Sequence, residues 1–182
     1  MASIKMKWYY INWELGYTWN KDIIPQLENH NINNQLLDRA VYVIRTKNKF
    51  AIDYPLKPSP TLYIGEGNFK NRINSHKKRW LSDLIALVGD FPIEIAISIP
   101  RAKNNAYVYK DVEADLILEF KSLHGMVPFF NKQNEFSKRQ HEYINYDEFK
   151  KPLEIGKGKK IPWALRPLKS NKNFETFHKA SN

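Results

Sequence analysis

Apolar and polar positions alternate most strictly between Pro92 and Pro100, where Ile93, Ile95, Ile97 and Ile99 occupy every second place with Glu94, Ala96 and Ser98 between them. Period two places alternate side chains on opposite faces, so this segment predicts a β-strand with its isoleucines turned inward. Ala40–Arg45 (AVYVIR) and Thr61–Gly65 (TLYIG) predict two further strands from their β-branched and aromatic content. Pro55, Pro58 and Pro60 predict a loop across Lys47–Pro60. The period then becomes helical. With Asn68 as N-cap, Phe69, Ile73, Trp80, Leu84 and Leu87 share one face, and Gly89 lies just past the expected end. A second helix is expected from about Val112 to His124, with Asp111 as N-cap, Gly125 as C-cap, and Leu116, Ile117, Phe120 and Leu123 as its inner stripe. Val127–Phe130 is a short apolar segment leading into Asn131.

Together these elements predict an α+β fold: a small central antiparallel or mixed β-sheet of about three strands, flanked by helices. The 182 residues suit one domain with extensions. Residues 1–39 are rich in aromatics (Trp8, Tyr9, Tyr10, Trp13, Tyr17, Trp19), close with a helix around Gln35–Arg39, and are expected to pack on the core. Residues 40–135 carry the predicted strands and helices. Residues 136–182 have a weaker pattern, a flexible basic loop at Gly156-Lys157-Gly158-Lys159-Lys160, and Trp163, Leu165 and Leu168 to dock part of the tail. No internal repeat is evident.

Composition excludes several chemistries. The chain has no cysteine, so disulfides, thiolate metal sites and a cysteine nucleophile are out. No apolar run approaches the ~18 residues of a membrane span, and Met1–Trp8 lacks the apolar core of a secretory signal. A cytoplasmic location is therefore expected. The net charge of +10 is unevenly spread. Residues 1–39 are neutral, residues 40–135 carry 14 Lys+Arg against 10 Asp+Glu, and residues 136–182 carry 11 against 5. Such an excess suits a polyanionic partner, though a solvated basic face would read the same way.

Two placements on the predicted helices suggest chemistry. Arg72 and His76 are four residues apart and so project from one helical face, a turn from each other. Lys70, Lys77, Lys78 and Arg79 surround them, which suits phosphate contacts and equally a solvent-exposed basic helix. Glu113 falls in the expected first turn of its helix, three and four residues before Leu116 and Ile117, and thus toward the sheet. A carboxylate there needs a partner, either the helix dipole or a cation. His30, His124, His141 and His178 show no metal-ligand spacing, and Asp115 and Glu119 lie off the face of Glu113 as expected solvent charges.

The order of these parts resembles the GIY-YIG nuclease superfamily over residues 40–131. A strand ending in Val41-Tyr42-Val43 is followed by one reading Tyr63-Ile64-Gly65, then Arg72 and His76 on a helix, Glu113 on a later helix, and Asn131. The second motif is literal. The first is degenerate, Ala40-Val41-Tyr42 or Val41-Tyr42-Val43, with no glycine, but keeps its tyrosine as Tyr42, and the connection between the two is longer than the family's usual hairpin. The resemblance implies a metal-dependent endonuclease of restriction or phage type that hydrolyses DNA phosphodiester bonds.

Under that resemblance, residues 40–135 form the catalytic domain and the roles follow from phosphodiester hydrolysis. Glu113 would bind a divalent cation, Mg²⁺ or Mn²⁺, with phosphate and water completing the oxygen shell. Arg72 offers a fork to the non-bridging phosphate oxygens. Tyr42 is implied as general base or water positioner, and Tyr63 would orient the nucleophile or contact phosphate. A tyrosine base needs a lowered pKa, which the metal and Arg72 could supply. His76 would relay a proton or contact phosphate, and Asn131 would anchor the site. Lys70, Lys77, Lys78, Arg79, Lys157, Lys159 and Lys160 are the expected nucleic-acid contacts. One site per chain implies a homodimer, or two sequential nicks, for double-strand cutting. The alternatives are a noncatalytic DNA- or RNA-binding module on the same fold and a ribonuclease.

Overall fold

The computed structural model describes residues 3–47, 50–88, 92–132, 141–155, 161–162 and 169. Gly89, the basic loop with Lys157, Lys159 and Lys160, and the tail positions Trp163, Leu165 and Leu168 lie outside them. The described chain is a mixed α+β structure. In chain order it forms β1 (Ser3–Ile4), β2 (Tyr9–Trp13), α1 (Ile24–Asn29), β3 (Ala40–Thr46), β4 (Phe50–Ala51) and β5 (Thr61–Gly67). Then come α2 (Phe69–His76), α3 (Ser82–Val88), β6 (Ile93–Ser98), α4 (Val108–His124), β7 (Glu142–Tyr143), α5 (Tyr146–Lys150) and β8 (Ile161–Pro162).

The central sheet has four antiparallel strands in the order β2-β6-β3-β5. The three strands expected from the sequence are all in it. The fourth, β2, comes from the aromatic N-terminal segment and pairs with β6 from Tyr9↔Ile97 to Trp13↔Ile93. Residues 1–39 therefore do more than pack on the sheet. Trp8 and Trp13 are core residues, and the segment supplies one sheet edge. The expected helix around Gln35–Arg39 is a tighter 3-10 turn spanning Asn34–Arg39.

Every residue of β3 is buried, as befits an inner strand covered on both faces. This accounts for its apolar run, AVYVIRT, in place of an alternation. Strand β6 does alternate in sequence, yet Ala96 and Ser98 are buried as well as the isoleucines. Their small side chains fit beneath close cover. The register pairs Tyr42 with both Gly65 and Ile97, and Ile44 with both Tyr63 and Ile95. Residues directly opposite share a face, so Tyr42, Tyr63 and Gly65 lie together over an isoleucine-rich floor.

The region expected to be a loop, Lys47–Pro60, contains the short strand β4, which pairs in parallel with β8, and a bridge between Ile52 and Ser59. Asn68 caps α2 by accepting from the Asn71 backbone N–H, as its residue type favours. α2 runs through a π-helical turn, Lys77–Leu81, into α3, and the Ser82 hydroxyl donates to the Lys77 carbonyl at 2.7 Å across it. Phe69 and Ile73 are buried, while Trp80 and Leu84 pack partly buried against the core.

Helix α4 begins one turn earlier than expected, because Tyr107 is its N-cap position and Asp111 lies inside the first turn. Glu113 is thus beyond the first turn, where the dipole effect fades. Gly125 ends α4 in the left-handed conformation, φ 84, the geometry that favours glycine at this position. Among the described residues, no helix is long and apolar enough to cross a membrane.

Candidate active site

Tyr42, Tyr63, Arg72 and His76 form one connected cluster over the Tyr42 face of the sheet. The backbone explains the convergence. β3 and β5 put the two tyrosines beside each other, with ring centroids 6.1 Å apart. The turn into α2 then brings Arg72 and His76, one helical turn apart, back over them.

Gly65 leaves the room this needs. A Cβ at that position would sit 2.5 Å from Tyr63 Cε1 and 2.6 Å from the Tyr42 hydroxyl oxygen, closer than packed atoms approach. Of the two backbone readings that a glycine invites here, close approach is the one that applies. The positive φ falls two residues later, at Gly67.

The hydrogen bonds are specific. His76 Nε2 lies 2.8 Å from the Tyr42 hydroxyl. Arg72 straddles the pair, its Nε donating to Tyr42 at 3.3 Å and its Nη2 to Tyr63 at 2.8 Å. Trp80 Nε1 donates to His76 Nδ1 at 3.0 Å, and its ring stacks on Phe130 at 3.9 Å with 14° between planes. Asn131 acts on the edge of β5. Its side-chain oxygen accepts from the Ile64 N–H at 2.9 Å and its Nδ2 donates to the Ile64 carbonyl at 2.8 Å, while Phe130 N–H bonds the Leu62 carbonyl. The segment before Asn131 therefore closes that edge in the manner of a neighbouring strand.

Burial separates the two tyrosines. Tyr42 is 0% exposed, whereas Tyr63 is only partly buried and Arg72 is exposed. Burial is the main force raising both phenol pKa values. Arg72 opposes it at each, and Glu113 reinforces it. At Tyr42 desolvation of the fully enclosed phenol outweighs the opposing charge of Arg72.

His76 is pushed down to about 4 by burial and then by the charges of Arg72 and Arg79, so it is neutral near pH 7. Burial pulls Arg72 down, but Tyr42, Tyr63 and Glu113 together carry it above its ordinary value. Glu113, partly buried on α4, acts electrostatically on both tyrosines and on Arg72.

Among the described residues no group of three or more His, Asp or Glu side chains could hold a metal ion. A Mg²⁺ held by one carboxylate, with phosphate and water supplying the other oxygens, needs no such group, and Glu113 suits that role. Lys70, Lys78 and Arg79 are exposed and Lys77 is partly exposed, so the helical run carrying Arg72 presents a basic surface. A shallow surface cavity of about 360 Å³, bounded by Lys7, Tyr9, Tyr10, His30 and Asn31, shares no residue with this cluster.

From the sequence Trp80 reads as a core-face residue close to the face of Arg72 and His76, with no role of its own in the site. The available signal was its position four residues after His76, on the same helical face. The expectation that Asp115 is a solvent charge is also corrected. Its Oδ2 lies 2.7 Å from His141 Nδ1 and accepts from the Tyr143 hydroxyl at 2.7 Å. No family model, curated protein or solved structure matches the chain.

Proposed function

We propose that the protein is a divalent-metal-dependent endonuclease with a GIY-YIG-type site, acting on DNA. The observation that carries this reading is the convergence of Arg72 on both tyrosine hydroxyls, with Glu113 within electrostatic range of all three. This cluster offers a fork for an anionic oxygen, hydroxyls to position a water, and one carboxylate for a hard cation. The exposed Lys70, Lys78 and Arg79 on the same helical run suit a phosphate backbone.

Within this reading, Arg72 holds the non-bridging oxygens of the scissile phosphate and Glu113 would hold Mg²⁺ or Mn²⁺. Such an ion, when bound, supplies Lewis-acid stabilisation of the charge that develops at phosphorus. Burial alters the division of labour between the tyrosines. Tyr63, partly exposed and addressed by Arg72 at 2.8 Å, is the one placed to meet an attacking water. Tyr42, fully enclosed, acts behind it. Neutral His76 holds Tyr42, and Asn131 holds β5, so both are positioning residues. One site per chain makes a homodimer, or two successive nicks, the route to a double-strand break.

The test is direct. Supercoiled plasmid and a structured RNA are incubated with the purified protein in Mg²⁺ and in EDTA, beside Glu113→Gln. The expected result is Mg²⁺-dependent nicking of the plasmid by the wild type and a loss of about 10²-fold or more in the variant. RNA cleavage alone would move the assignment to a ribonuclease. Salt-sensitive binding without cleavage of either would leave a noncatalytic binding module.

A further inference from the structure

Trp80 has a consequence for proton placement that its position in the core does not require. An indole Nε1–H can only donate, so the His76 Nδ1 facing it at 3.0 Å must offer a lone pair. The ring proton of neutral His76 is then on Nε2, which faces the Tyr42 oxygen at 2.8 Å. Tyr42 therefore accepts from His76 Nε2–H and from Arg72 Nε–H. Its own hydroxyl hydrogen can go to neither. Tyr63, whose ring centroid lies 6.1 Å from that of Tyr42, accepts from Arg72 Nη2–H.

We propose that Trp80 is a positioning residue that locks His76 as the Nε2–H tautomer, giving the bonds Trp80→His76→Tyr42 one direction. The Tyr42 oxygen is thus held by two donors, His76 Nε2–H and Arg72 Nε–H. The stack of Trp80 on Phe130 and the π-helical turn that carries Trp80 fix the indole at the required angle. A protonated His76 would place Nδ1–H against the indole N–H, donor against donor. That repulsion adds to the burial and the charges of Arg72 and Arg79 that already keep the ring neutral. The lock stands on geometry alone. Only its effect on cleavage rests on the nuclease reading.

The experiment is ¹⁵N NMR of the His76 ring in the full-length protein near pH 7. The expected spectrum shows Nδ1 unprotonated and Nε2 bearing the proton. A second sample carries benzothienylalanine at position 80, which keeps the ring and its stacking but replaces the N–H by sulfur. Trp80→Phe serves as the backup variant. In either variant the expected result is a mixed tautomer, with a measurable Nδ1–H fraction. An Nδ1–H ring in the wild type overturns the proposal, and so does an Nε2–H signal that is unchanged when the indole N–H is removed.

Cleavage is followed in parallel, with a fall of at least about tenfold expected in the isosteric variant. If the tautomer behaves as expected while no protein cleaves, the nuclease reading fails and the lock stands. If the wild type cleaves with the Nδ1–H tautomer, the lock fails and the nuclease reading stands.

Discussion

Two histidine–tyrosine clusters are built against helices of this molecule, and they use the same side chains toward opposite ends. In the first, His76 lies among Tyr42, Tyr63 and Trp80, with Arg72 and Arg79 as its charged neighbours. In the second, His141 lies between carboxylates of α4, its Nδ1 2.7 Å from Asp115 Oδ2 and its Nε2 3.6 Å from Asp111 Oδ2. The Tyr143 hydroxyl donates to the same Asp115 oxygen, and Asn105 Nδ2 donates to Asp111 at 2.9 Å.

The second cluster pairs its donors with carboxylates already in the fold, and it ties residues 141–143 to α4. In the first cluster, donors converge on two phenol oxygens, and Arg72 is exposed. A group of donors that ends on neutral oxygens beside an exposed cation is suited to a ligand, whereas one that ends on carboxylates of the fold is suited to holding a segment in place. The comparison predicts that substitutions in the first cluster act mainly on function and those in the second mainly on stability.

The largest expected effect comes from Arg72→Lys. A single ammonium cannot address Tyr42 and Tyr63 with separate donors as the guanidinium does at 3.3 and 2.8 Å. Cleavage should fall by about 10²-fold or more, while the thermal midpoint changes little because the position is exposed. Plasmid nicking together with a melting curve measures both. A variant with full activity would remove the arginine fork from the proposal.

Gly65→Ala should follow, and it touches both quantities. The added methyl would fall 2.6 Å from the Tyr42 hydroxyl and 2.5 Å from Tyr63 Cε1, so both rings must shift. Overpacking of this kind costs about 1–3 kcal/mol, and it should disorganise the cluster enough to depress cleavage as well. Urea denaturation beside the nicking assay would show it. Unchanged stability would mean the rings have slack that the packing does not suggest.

These two positions also show how far the sequence carries. Arg72, His76 and Tyr63 could be picked out because one helical turn and one three-residue motif place them. Strands β3, β5 and β6 were legible for a similar reason, since their patterns are local. Strand β2 was not. Its YYINW reads as an aromatic packing segment, and only its pairing with β6 makes it a strand.

The start of α4 was missed because Tyr107 offers no capping side chain, so the chain gives no local mark there. Asp115 and His141 are 26 positions apart, and nothing along the chain announces their meeting. Trp80 is the intermediate case. Its spacing from His76 was visible, but the direction of one N–H bond depends on the π-helical turn and the Phe130 stack.

A third prediction uses pH to separate the first cluster from the rest of the fold. His76 has a pKa of about 4 in the folded protein against 6.5 for the free side chain. Between those values the unfolded chain binds a proton that the folded chain does not, so its contribution is complete above pH 6.5 and is lost as pH falls toward 4. The slope from this one group is at most about 1.4 kcal/mol per pH unit. In His76→Gln the urea-derived stability should therefore fall less steeply between pH 6.5 and 4 than in the wild type. Parallel curves would show that His76 titrates as it does in the unfolded chain.

The smallest effect is expected in the second cluster, and it decides whether the comparison holds. Asp115→Asn keeps the size of the side chain but removes the charge that receives both His141 and the Tyr143 hydroxyl. The Tyr143 pKa is raised, first by burial and then by Asp115, so its hydroxyl stays protonated and can still donate to the amide oxygen. The charge-assisted part of the bond to His141 is lost, at a cost of about 1 kcal/mol.

β7 pairs with β1 through two residues, Ser3↔Glu142 and Ile4↔Tyr143, so loosening His141 should also free residues 141–143. Amide exchange there should quicken while exchange in β3 and β5 stays as it was. Cleavage should remain within about twofold of the wild type, because no bond to Tyr42, Tyr63 or Arg72 is altered. A large loss of cleavage in Asp115→Asn, with β3 and β5 intact, would instead join the two clusters into one functional unit through α4, the helix that carries both Asp115 and Glu113.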